Sequence, residues 1–213
     1  MRIKALSLDL DGTLVSREYV DYFWLELVPK LYAERWHIDL KEAKQRVMEA
    51  YEEVGPRDIR WYRPRYWFRR FGLDEAALKW AIEEAGKLVR PYEDAIEFLR
   101  IVRGKVRLLL CTSASREFID LVFRKLPAFG RSFSRIFSSV SDFNMPGKPP
   151  EFYLKVLEEV GIESQNLVHV GDDEEADYRN PMQVGVRAYL INREGGKRGL
   201  QSLLELLDEL NIA

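Results

Sequence analysis

The stretch Asp9-Leu10-Asp11-Gly12-Thr13-Leu14 follows a largely apolar run at residues 3–8, which is typical of a buried strand. Two carboxylates at the end of such a strand are costly unless a cation binds between them. Because residues i and i+2 of an extended chain point to the same side, Asp9 and Asp11 are expected to face one small volume. Gly12 allows the backbone to turn away sharply after them. The arrangement suits Mg²⁺, which prefers oxygen ligands; an ordinary Asp-Gly turn is the alternative.

The composition describes a globular chain without an evident macromolecular partner. Of its 213 residues, 46% are hydrophobic and 32% are charged, and the net charge is -2. This balance does not favour binding to nucleic acid or to a membrane, and no apolar stretch approaches the length of a membrane span. The single cysteine, Cys111, cannot form an internal disulfide and favours a reducing compartment. We therefore expect a cytoplasmic protein, either a monomer or a homodimer.

Apolar runs alternate with helical patterns over most of the chain. Runs at residues 3–8, 106–111, 167–170 and 184–191 predict strands buried on both faces, and residues 136–140 are a further candidate. Helical patterns occupy residues 92–102, 117–125, 150–160 and 199–210. This alternation predicts an α/β fold with a doubly wound, Rossmann-like parallel sheet.

Residues 16–90 interrupt the alternation. They contain no strand-like run but four amphipathic helical stretches, at residues 19–36, 40–54, 64–71 and 74–89, with Asp74 as an expected N-cap. An insertion after the first strand emerges at the sheet edge where ligands bind in open α/β folds. We therefore predict an α/β core domain formed by residues 1–15 and 91–213, and an inserted helical cap domain formed by residues 16–90.

Two motifs in the second half of the chain carry groups that can bind phosphate. Thr112 and Ser113 end the second predicted strand, where a hydroxyl beside a helix N-terminus can bind phosphate together with backbone N–H groups. Helix capping alone would also explain them. Lys148 lies in the rigid Pro-Gly-Lys-Pro-Pro loop at residues 146–150, where it could neutralise a phosphate and an anionic nucleophile. An ordinary solvated lysine is the alternative.

An acidic run at residues 172–177 follows another apolar strand. Asp172 is the first residue past a strand and a glycine, like Asp9 on its own strand, so the two carboxylates can converge on one metal. The glutamates of the run can be explained as first-turn acids favoured by the helix dipole. Asp177 begins the following helix and could orient Lys148 or a metal-bound water. His169 lies inside the strand, where a core residue is expected rather than a ligand.

In chain order, these motifs resemble those of the haloacid dehalogenase superfamily. The family's first motif is a strand followed by DxDGT, as in residues 9–13, and its second is a Thr or Ser that ends a strand, as Thr112 does. Its third is a lysine before a helix, matched by Lys148, and its fourth is a strand, GD and a second Asp, matched by residues 171–177. The resemblance covers residues 1–15 and 91–213, and the helical insertion lies where the family's four-helix caps lie.

The resemblance implies a Mg²⁺-dependent phosphatase that acts on a small phosphorylated metabolite. Asp9 would attack phosphorus and form an aspartyl phosphate. Asp11 would protonate the leaving oxygen and then deprotonate the hydrolytic water. Mg²⁺ would be bound by the carboxylates of Asp9 and Asp172 and by the backbone carbonyl of Asp11. Thr112 and Lys148 would hold the phosphoryl group.

Other members of the motifs are assigned by the same resemblance. Gly12, Thr13 and Ser113 are assigned to substrate binding, and Asp173 and Asp177 to the groups that surround the metal ligands. The dehalogenases of the family use no metal and lack an aspartate at the position of Asp11, so phosphoryl transfer is favoured over halide displacement. A phosphomutase shares all four motifs and stays an alternative.

Residues 57–70 contain six arginines interleaved with five aromatic residues. Such a stretch could bind single-stranded nucleic acid by charge and stacking. The alternative is a cap helix with its aromatic side chains packed inward and its arginines solvated or paired, and the slightly negative net charge favours this alternative. We further expect an arginine near the turn at residues 55–58, Arg57, to reach the active site and select anionic substrates.

Overall fold

The centre of the protein is a five-stranded sheet in which all strands are parallel. A computed structural model describes residues 3–193, 195 and 198–210, and the structural statements that follow concern these residues. The strands are β1 (Ala5–Leu8), β2 (Arg107–Thr112), β3 (Arg135–Ser138), β4 (Leu167–Gly171) and β5 (Arg187–Leu190). Their order is β3-β2-β1-β4-β5. The predicted α/β fold is therefore confirmed, including the strand near residue 136.

Helices pack against both faces of this sheet. Leu6 and Leu8 of β1 belong to an apolar cluster that includes Phe98, from the helix before β2. Ala5 of β1 points to the opposite face of the sheet and belongs to a second cluster with Phe152, from the helix before β4. The helices of this part are Glu93–Val102, Arg116–Lys125, Pro127–Gly130, Ser139–Asp142, Pro150–Val160, Asn180–Gln183 and Glu205–Leu210, with a 3₁₀ turn at Ser164–Asn166 and a π-helical turn at Glu174–Arg179. Within the described residues, no helix is both long and apolar enough to cross a membrane.

The last helix is shorter than predicted. The pattern at residues 199–210 predicted one helix, but the helix begins at Glu205. Gly199 has a φ of +93°, and Leu200 is hydrogen-bonded to Leu190 (N to O, 2.8 Å), so the chain extends the edge of β5 before it turns. The carboxylate of Glu205 then accepts from the backbone N–H of Ser202 at 3.0 Å, which caps the start of the helix.

The segment between β1 and β2 is helical, and residues 16–90 are all described and form no strand. A continuous helix consists of Glu18–Tyr22, the π-helical Phe23–Leu27 and Val28–Trp36; the others are Leu40–Val54, Pro64–Arg70 and Glu75–Ala85, with 3₁₀ turns at Ile59–Tyr62 and Gly86–Leu88. The four predicted helices are confirmed. Asp74 is the predicted N-cap, and its carboxylate accepts from the N–H of Ala77 at 2.8 Å.

The helical segment leaves and re-enters the sheet region through two adjacent linkers. Val15 and Pro91 form an antiparallel bridge. The N–H of Ser16 donates to the carbonyl of Arg90 at 2.9 Å, and the N–H of Tyr92 donates to that of Leu14 at 3.1 Å. This pairing places the segment over the carboxyl ends of the strands. The division into two domains at these linkers stays a prediction.

Candidate active site

The four sequence motifs meet in one cavity of about 380 Å³ between the strand ends and the helical segment. Asp9, Asp11, Thr112, Lys148 and Asp172 all line it. They converge because β1 lies between β2 and β4 and pairs with both in register. Strands β2 and β3 follow β1 on one side of the sheet, whereas β4 and β5 lie on its other side. The order of the strands therefore changes direction between β1 and β4, and open α/β sheets bind ligands at such a position.

Lys148 lies between two buried carboxylates and is itself only 3% exposed. Its Nζ contacts Oδ1 of Asp9 and Oδ1 of Asp177, and lies 3.5 Å from the carbonyl of Cys111. Burial alone would lower the pKa of Lys148, but the two carboxylates outweigh burial and raise the pKa above its ordinary value. The interpretation of Lys148 as an ordinary solvated lysine is therefore wrong.

The carboxylate of Asp177 accepts from three donors, one of which is Lys148. Besides Lys148, it accepts from Nε2 of His169 at 2.8 Å and from the backbone N–H of Asp173 at 3.1 Å. Burial would raise the pKa of Asp177, but Lys148 and His169 lower it to about 2. Gly171 permits this approach, because a Cβ there would lie 2.2 Å from the Cγ of Asp177. Asp177 is thus a permanent anion inside the protein.

His169 is the core residue that the sequence predicted. It is fully buried, and burial lowers its pKa, which keeps the imidazole neutral. Its Nε2–H donates to Asp177, and its Nδ1 lies 2.8 Å from the hydroxyl of Ser7 on the neighbouring strand. A chain of contacts therefore runs from Ser7 through His169, Asp177 and Lys148 to Asp9.

Asp11 has a hydrogen-bond partner that the sequence did not reveal. The hydroxyl of Tyr19 donates to its Oδ1 at 2.5 Å, and Tyr19 is fully buried in the first turn of the helical segment. Burial raises the pKa of Asp11 to about 6, because it outweighs the opposing effects of Tyr19 and of Arg17. Asp11 can therefore carry a proton near neutral pH, as a general acid requires.

Asp172 packs against the turn that follows Asp9. Gly12 has a φ of +81°, and a Cβ at this position would lie 2.0 Å from Oδ2 of Asp172. Only a glycine combines this left-handed backbone with so close an approach. On its open side Asp172 faces Arg17, whose Nη1 lies 3.5 Å from Oδ2.

Three carboxylates lie close enough to share a cation. Within the part of the chain that the structure describes, oxygen atoms of Asp9, Asp172 and Asp177 all lie within 4.8 Å of one another. Burial and mutual repulsion raise the pKa of Asp9 and of Asp172. The carboxylate of Asp177 is already engaged by three donors, so Asp9 and Asp172 are the pair with capacity left for a metal ion.

Some of the predicted substrate-binding residues line the cavity and others do not. Ser113 lines the cavity, as does Thr112, whose Oγ1 also accepts from the N–H of Ala114 at 3.1 Å. Thr13 does not line the cavity; it is fully buried, and its carbonyl accepts from Arg193 at 2.6 Å. Gly12 supports Asp172 and does not line the cavity either. The structure thus shows contacts of Gly12 and Thr13 within the protein, and their assignment to substrate binding stays a prediction.

The prediction for Arg57 is not supported. Arg57 is exposed and does not line the cavity, although the carbonyl of the preceding Pro56 accepts from the hydroxyl of Tyr62, a cavity residue, at 3.1 Å. The arginine that does line the cavity is Arg17, at the start of the first helix. A basic residue shortly after the DxDGT motif was the available signal, but nothing local distinguished Arg17 from the many other arginines.

The stretch at residues 57–70 is a packed cap helix. Trp67 is 1% exposed and packs edge-on against Tyr51, with ring centroids 4.7 Å apart. Arginines of the stretch pair with neighbouring acids, as Arg60 does with Asp58 at 2.7 Å and Arg65 with Glu75 at 3.3 Å. The burial of Trp67 and these ion pairs are what the cap-helix interpretation predicted.

Replacing Gly12 with Ala is expected to lower kcat on phosphate esters by about 100-fold or more, because the new methyl group displaces Asp172 from the site. Gly104→Ala is the matched control. Gly104 also has a positive φ, of +77°, but nothing lies within 4 Å of a Cβ there. Both variants carry the backbone strain of a left-handed alanine, about 1–2 kcal/mol. Steady-state kinetics and urea unfolding of both would separate strain from displacement, and equal activities would contradict the role given to Asp172.

Comparisons with known proteins agree with this geometry. A model of the haloacid dehalogenase-like hydrolases matches residues 3–179. The chain is 28% identical over 188 residues to GMP/IMP nucleotidase YrfG from Escherichia coli (strain K12), a match that covers 87% of this chain and 81% of the relative. A haloacid dehalogenase-type phosphatase from Thermococcus onnurineus has a similar structure, with a TM-score of 0.83, 26% identity and 98% of each chain covered. The magnesium-bound hydrolase YfnB from Bacillus subtilis shares the fold, with a TM-score of 0.70 and 19% identity over 99% of this chain and 100% of that chain.

Proposed function

The chain belongs to the haloacid dehalogenase-like hydrolase family, and we propose that it is a Mg²⁺-dependent phosphatase that hydrolyses a small phosphorylated metabolite through an aspartyl phosphate. One observation carries this proposal. Asp9 is held by Lys148 inside a cavity that also presents Asp11 and Asp172. A nucleophile, an acid and a cation-binding carboxylate thus face one volume. The E. coli relative, a nucleotidase by name, supports the same class of reaction.

Asp9 is the proposed nucleophile. Its Oδ1 is occupied by Lys148, which leaves Oδ2 to form a bond to phosphorus while the bond from phosphorus to the leaving oxygen breaks. Burial and the neighbouring carboxylates raise the pKa of Asp9, and Lys148 opposes this shift and so favours the ionised nucleophile. Asp177 keeps Lys148 in place, so we assign Asp177 a positioning role.

Asp11 is the proposed acid and base. Its Oδ1 accepts from Tyr19, so Oδ2 is free to give a proton to the leaving oxygen in the first step. In the second step the same carboxylate takes a proton from water, which attacks phosphorus and releases Asp9 and phosphate. Its pKa of about 6 suits a group that must do both near neutral pH.

The donor set around Asp9 fits a divalent cation. Four carboxyl groups, those of Asp9, Asp11, Asp172 and Asp177, lie near two cationic side chains, Lys148 and Arg17, so acidic groups outnumber basic ones at the strand ends. We propose that Asp9, Asp172 and the backbone carbonyl of Asp11 would hold Mg²⁺. A bound Mg²⁺ lets two anions approach each other and stabilises charge on the transferring oxygens.

We also propose that residues 16–90 act as a cap domain over a core domain of residues 1–15 and 91–213. The paired linkers at Val15 and Pro91 support a hinge at this boundary. On the opposite side, Arg63 donates to Asn144 of the core at 2.7 Å, and Arg65 lies 3.4 Å from Glu117. These contacts hold the cap over the cavity and exclude water during the first step.

Hydrolysis is favoured over the alternative of a phosphomutase. A mutase must bind a second phosphate group of a bisphosphate. Among the described cap residues that line the cavity, Arg17 is the one cation, and Asp21 lies a turn further along the same helix. Supplying a sugar phosphate together with its bisphosphate should therefore yield free phosphate and no isomer.

Mg²⁺ is expected both to stabilise the protein and to be required for turnover. At about 100-fold above its Kd, Mg²⁺ should raise the free energy of unfolding by about 2.7 kcal/mol, and excess EDTA should abolish phosphate release from p-nitrophenyl phosphate. Asp172→Asn should remove the stabilisation and most of the activity without lowering the stability of the metal-free protein, because it removes one of two repelling carboxylates.

Glu174→Gln provides the matched control for Asp172→Asn. Glu174 belongs to the same acidic run but does not line the cavity, and it pairs with Arg179 at 2.6 Å on the surface. This variant should keep the response to Mg²⁺. Turnover that survives excess EDTA, or a response to Mg²⁺ that survives Asp172→Asn, would refute the proposed metal site.

A further inference from the structure

The cavity has two unlike walls. The wall formed by the strand ends is polar and charged, as described above. The opposite wall, formed by the cap, is largely aromatic, and its rings are those of Trp24, Tyr51, Trp61, Tyr62 and Trp67. A volume of about 380 Å³ lies within the range of small-molecule sites, most of which combine apolar walls with a few polar groups.

Two of these five rings are buried and support the wall, and the other three, those of Trp24, Trp61 and Tyr62, are partly exposed. Tyr51 is 5% exposed and Trp67 is 1% exposed, and their polar atoms are bonded to backbone carbonyls of the cap itself, those of Trp24 and Trp61. Trp24 and Trp61 are partly exposed and pack edge-on against Tyr51, with centroids 5.8 Å and 6.0 Å away. In the described part of the chain, neither of their indole N–H groups donates to a protein acceptor, so both can donate to a ligand.

Along the first cap helix, the side chains that line the cavity change from charged to apolar with distance from the strand ends. Arg17, nearest to Asp172, is a cation; Asp21, four residues on, is a carboxylate; Trp24 and Leu25 are apolar. Positions four and seven to eight residues apart share one face of a helix. At 1.5 Å per residue, Asp21 lies about 6 Å and Trp24 about 11 Å along the helix axis from Arg17.

This order matches the parts of one ligand. Arg17, beside Asp172 at the strand ends, suits a phosphate; a carboxylate accepts from sugar hydroxyls, and a partly exposed indole stacks on a planar ring. The single cation among the described cap residues of the wall provides for one phosphate group and not for two or three. We infer that the cap wall is a binding site for a heterocyclic base, and that the substrates are nucleoside 5′-monophosphates. This inference rests on the proposed phosphatase function.

The test compares esters that differ by one part of the ligand. Wild-type protein with Mg²⁺ is assayed for phosphate release from IMP, GMP, AMP, UMP, ribose 5-phosphate and phenyl phosphate. Ribose 5-phosphate shares the sugar and phosphate of a nucleotide but lacks the base. The kcat/KM for at least one nucleoside monophosphate should exceed that for ribose 5-phosphate by about 10- to 100-fold, the usual contribution of base–aromatic stacking.

Variants locate the preference on the wall. Trp61→Leu should bring the kcat/KM for nucleotides close to that for ribose 5-phosphate, mainly through KM, while Trp61→Phe should retain most of the preference. Trp80→Leu is the control, since Trp80 is a cap tryptophan that is 44% exposed and does not line the cavity. If Trp61→Leu fails to fold, Asp21→Ala provides a second test, because Asp21 is exposed. It should raise KM for nucleotides and ribose 5-phosphate but not for phenyl phosphate.

The outcomes separate this inference from the proposed function. Hydrolysis of ribose 5-phosphate as efficiently as of every nucleotide would overturn the inference and leave the phosphatase in place. A preference for nucleotides that is unchanged in both Trp61→Leu and Asp21→Ala would overturn the assignment of the base site to this wall. The absence of phosphate release from any ester would overturn the proposed function itself.

Discussion

Asp9→Asn is expected to lower kcat on every phosphate ester by about 10⁴-fold or more, with little change in the free energy of unfolding. An amide cannot act as an anionic nucleophile, so the covalent step is lost. The fold is retained because the amide is the same size, its oxygen can still accept from Lys148, and Asp177 remains as the counter-ion of that lysine. Phosphate release and urea unfolding of the variant measure the two effects.

A second measurement tests the covalent step directly. Wild-type protein mixed with substrate and quenched in acid should carry one phosphoryl group on the peptide that contains Asp9, as detected by mass spectrometry, and Asp9→Asn should carry none. Asp120→Asn serves as the control, since Asp120 is an exposed aspartate of helix Arg116–Lys125 outside the cavity. Normal turnover by Asp9→Asn would exclude the aspartyl phosphate.

Features that depend on short stretches of sequence could be predicted well. A strand buried on both faces leaves an apolar run, and that run identifies the polar residue directly after it as a candidate site residue, as for Asp9 and Asp172. Their convergence also follows, because the carboxyl ends of neighbouring parallel strands lie at one edge of the sheet. The four cap helices were found for the same reason, since amphipathic periodicity and N-caps such as Asp74 are local signals.

Features that depend on how distant segments meet could not be predicted. The contacts of Tyr19 with Asp11 and of Arg17 with Asp172 depend on the angle at which the first cap helix leaves the turn. That angle is set by pairing of the two linkers, and no local pattern encodes it. Arg57 was misplaced for this reason: the orientation of the cap decides which arginine faces the cavity.

The charged groups inside the site could be predicted only in part. A lysine in a proline-rich loop before a helix was recognisable, but its burial between Asp9 and Asp177 was not. Periodicity describes which face of an element is apolar, whereas the pKa of a buried group depends on charges brought together by the whole fold. Asp177 was expected to orient Lys148 or a metal-bound water, and its contact with Lys148 agrees with the first of these roles.

Lys148→Met is expected to have the largest effect on stability of any single substitution at this site. The side chain is 3% exposed, and methionine fills a similar volume without the charge. Its loss leaves Asp9 and Asp177 as buried anions that face each other without a cation. Breaking a buried ion pair from one side costs about 3–5 kcal/mol, or roughly 6–20 °C in Tm for a chain of this size. Activity should fall with it, because the ionised form of Asp9 is no longer favoured.

The pH dependence distinguishes this cause from a simple packing defect. Without the ammonium group, the folded-state pKa of Asp9 should rise further above the unfolded value of about 3.9, and that of Asp177 should rise from about 2. A group whose pKa is raised by folding favours the folded state only while it is protonated, so stability is lost as pH rises through that pKa. In EDTA, the loss in the free energy of unfolding relative to wild type should therefore be larger at pH 8 than at pH 5. Lys155→Met, on the exposed face of helix Pro150–Val160, should show a small and pH-independent change. A loss that is equal at both pH values would show that Lys148 contributes packing and does not compensate the charge of the nucleophile.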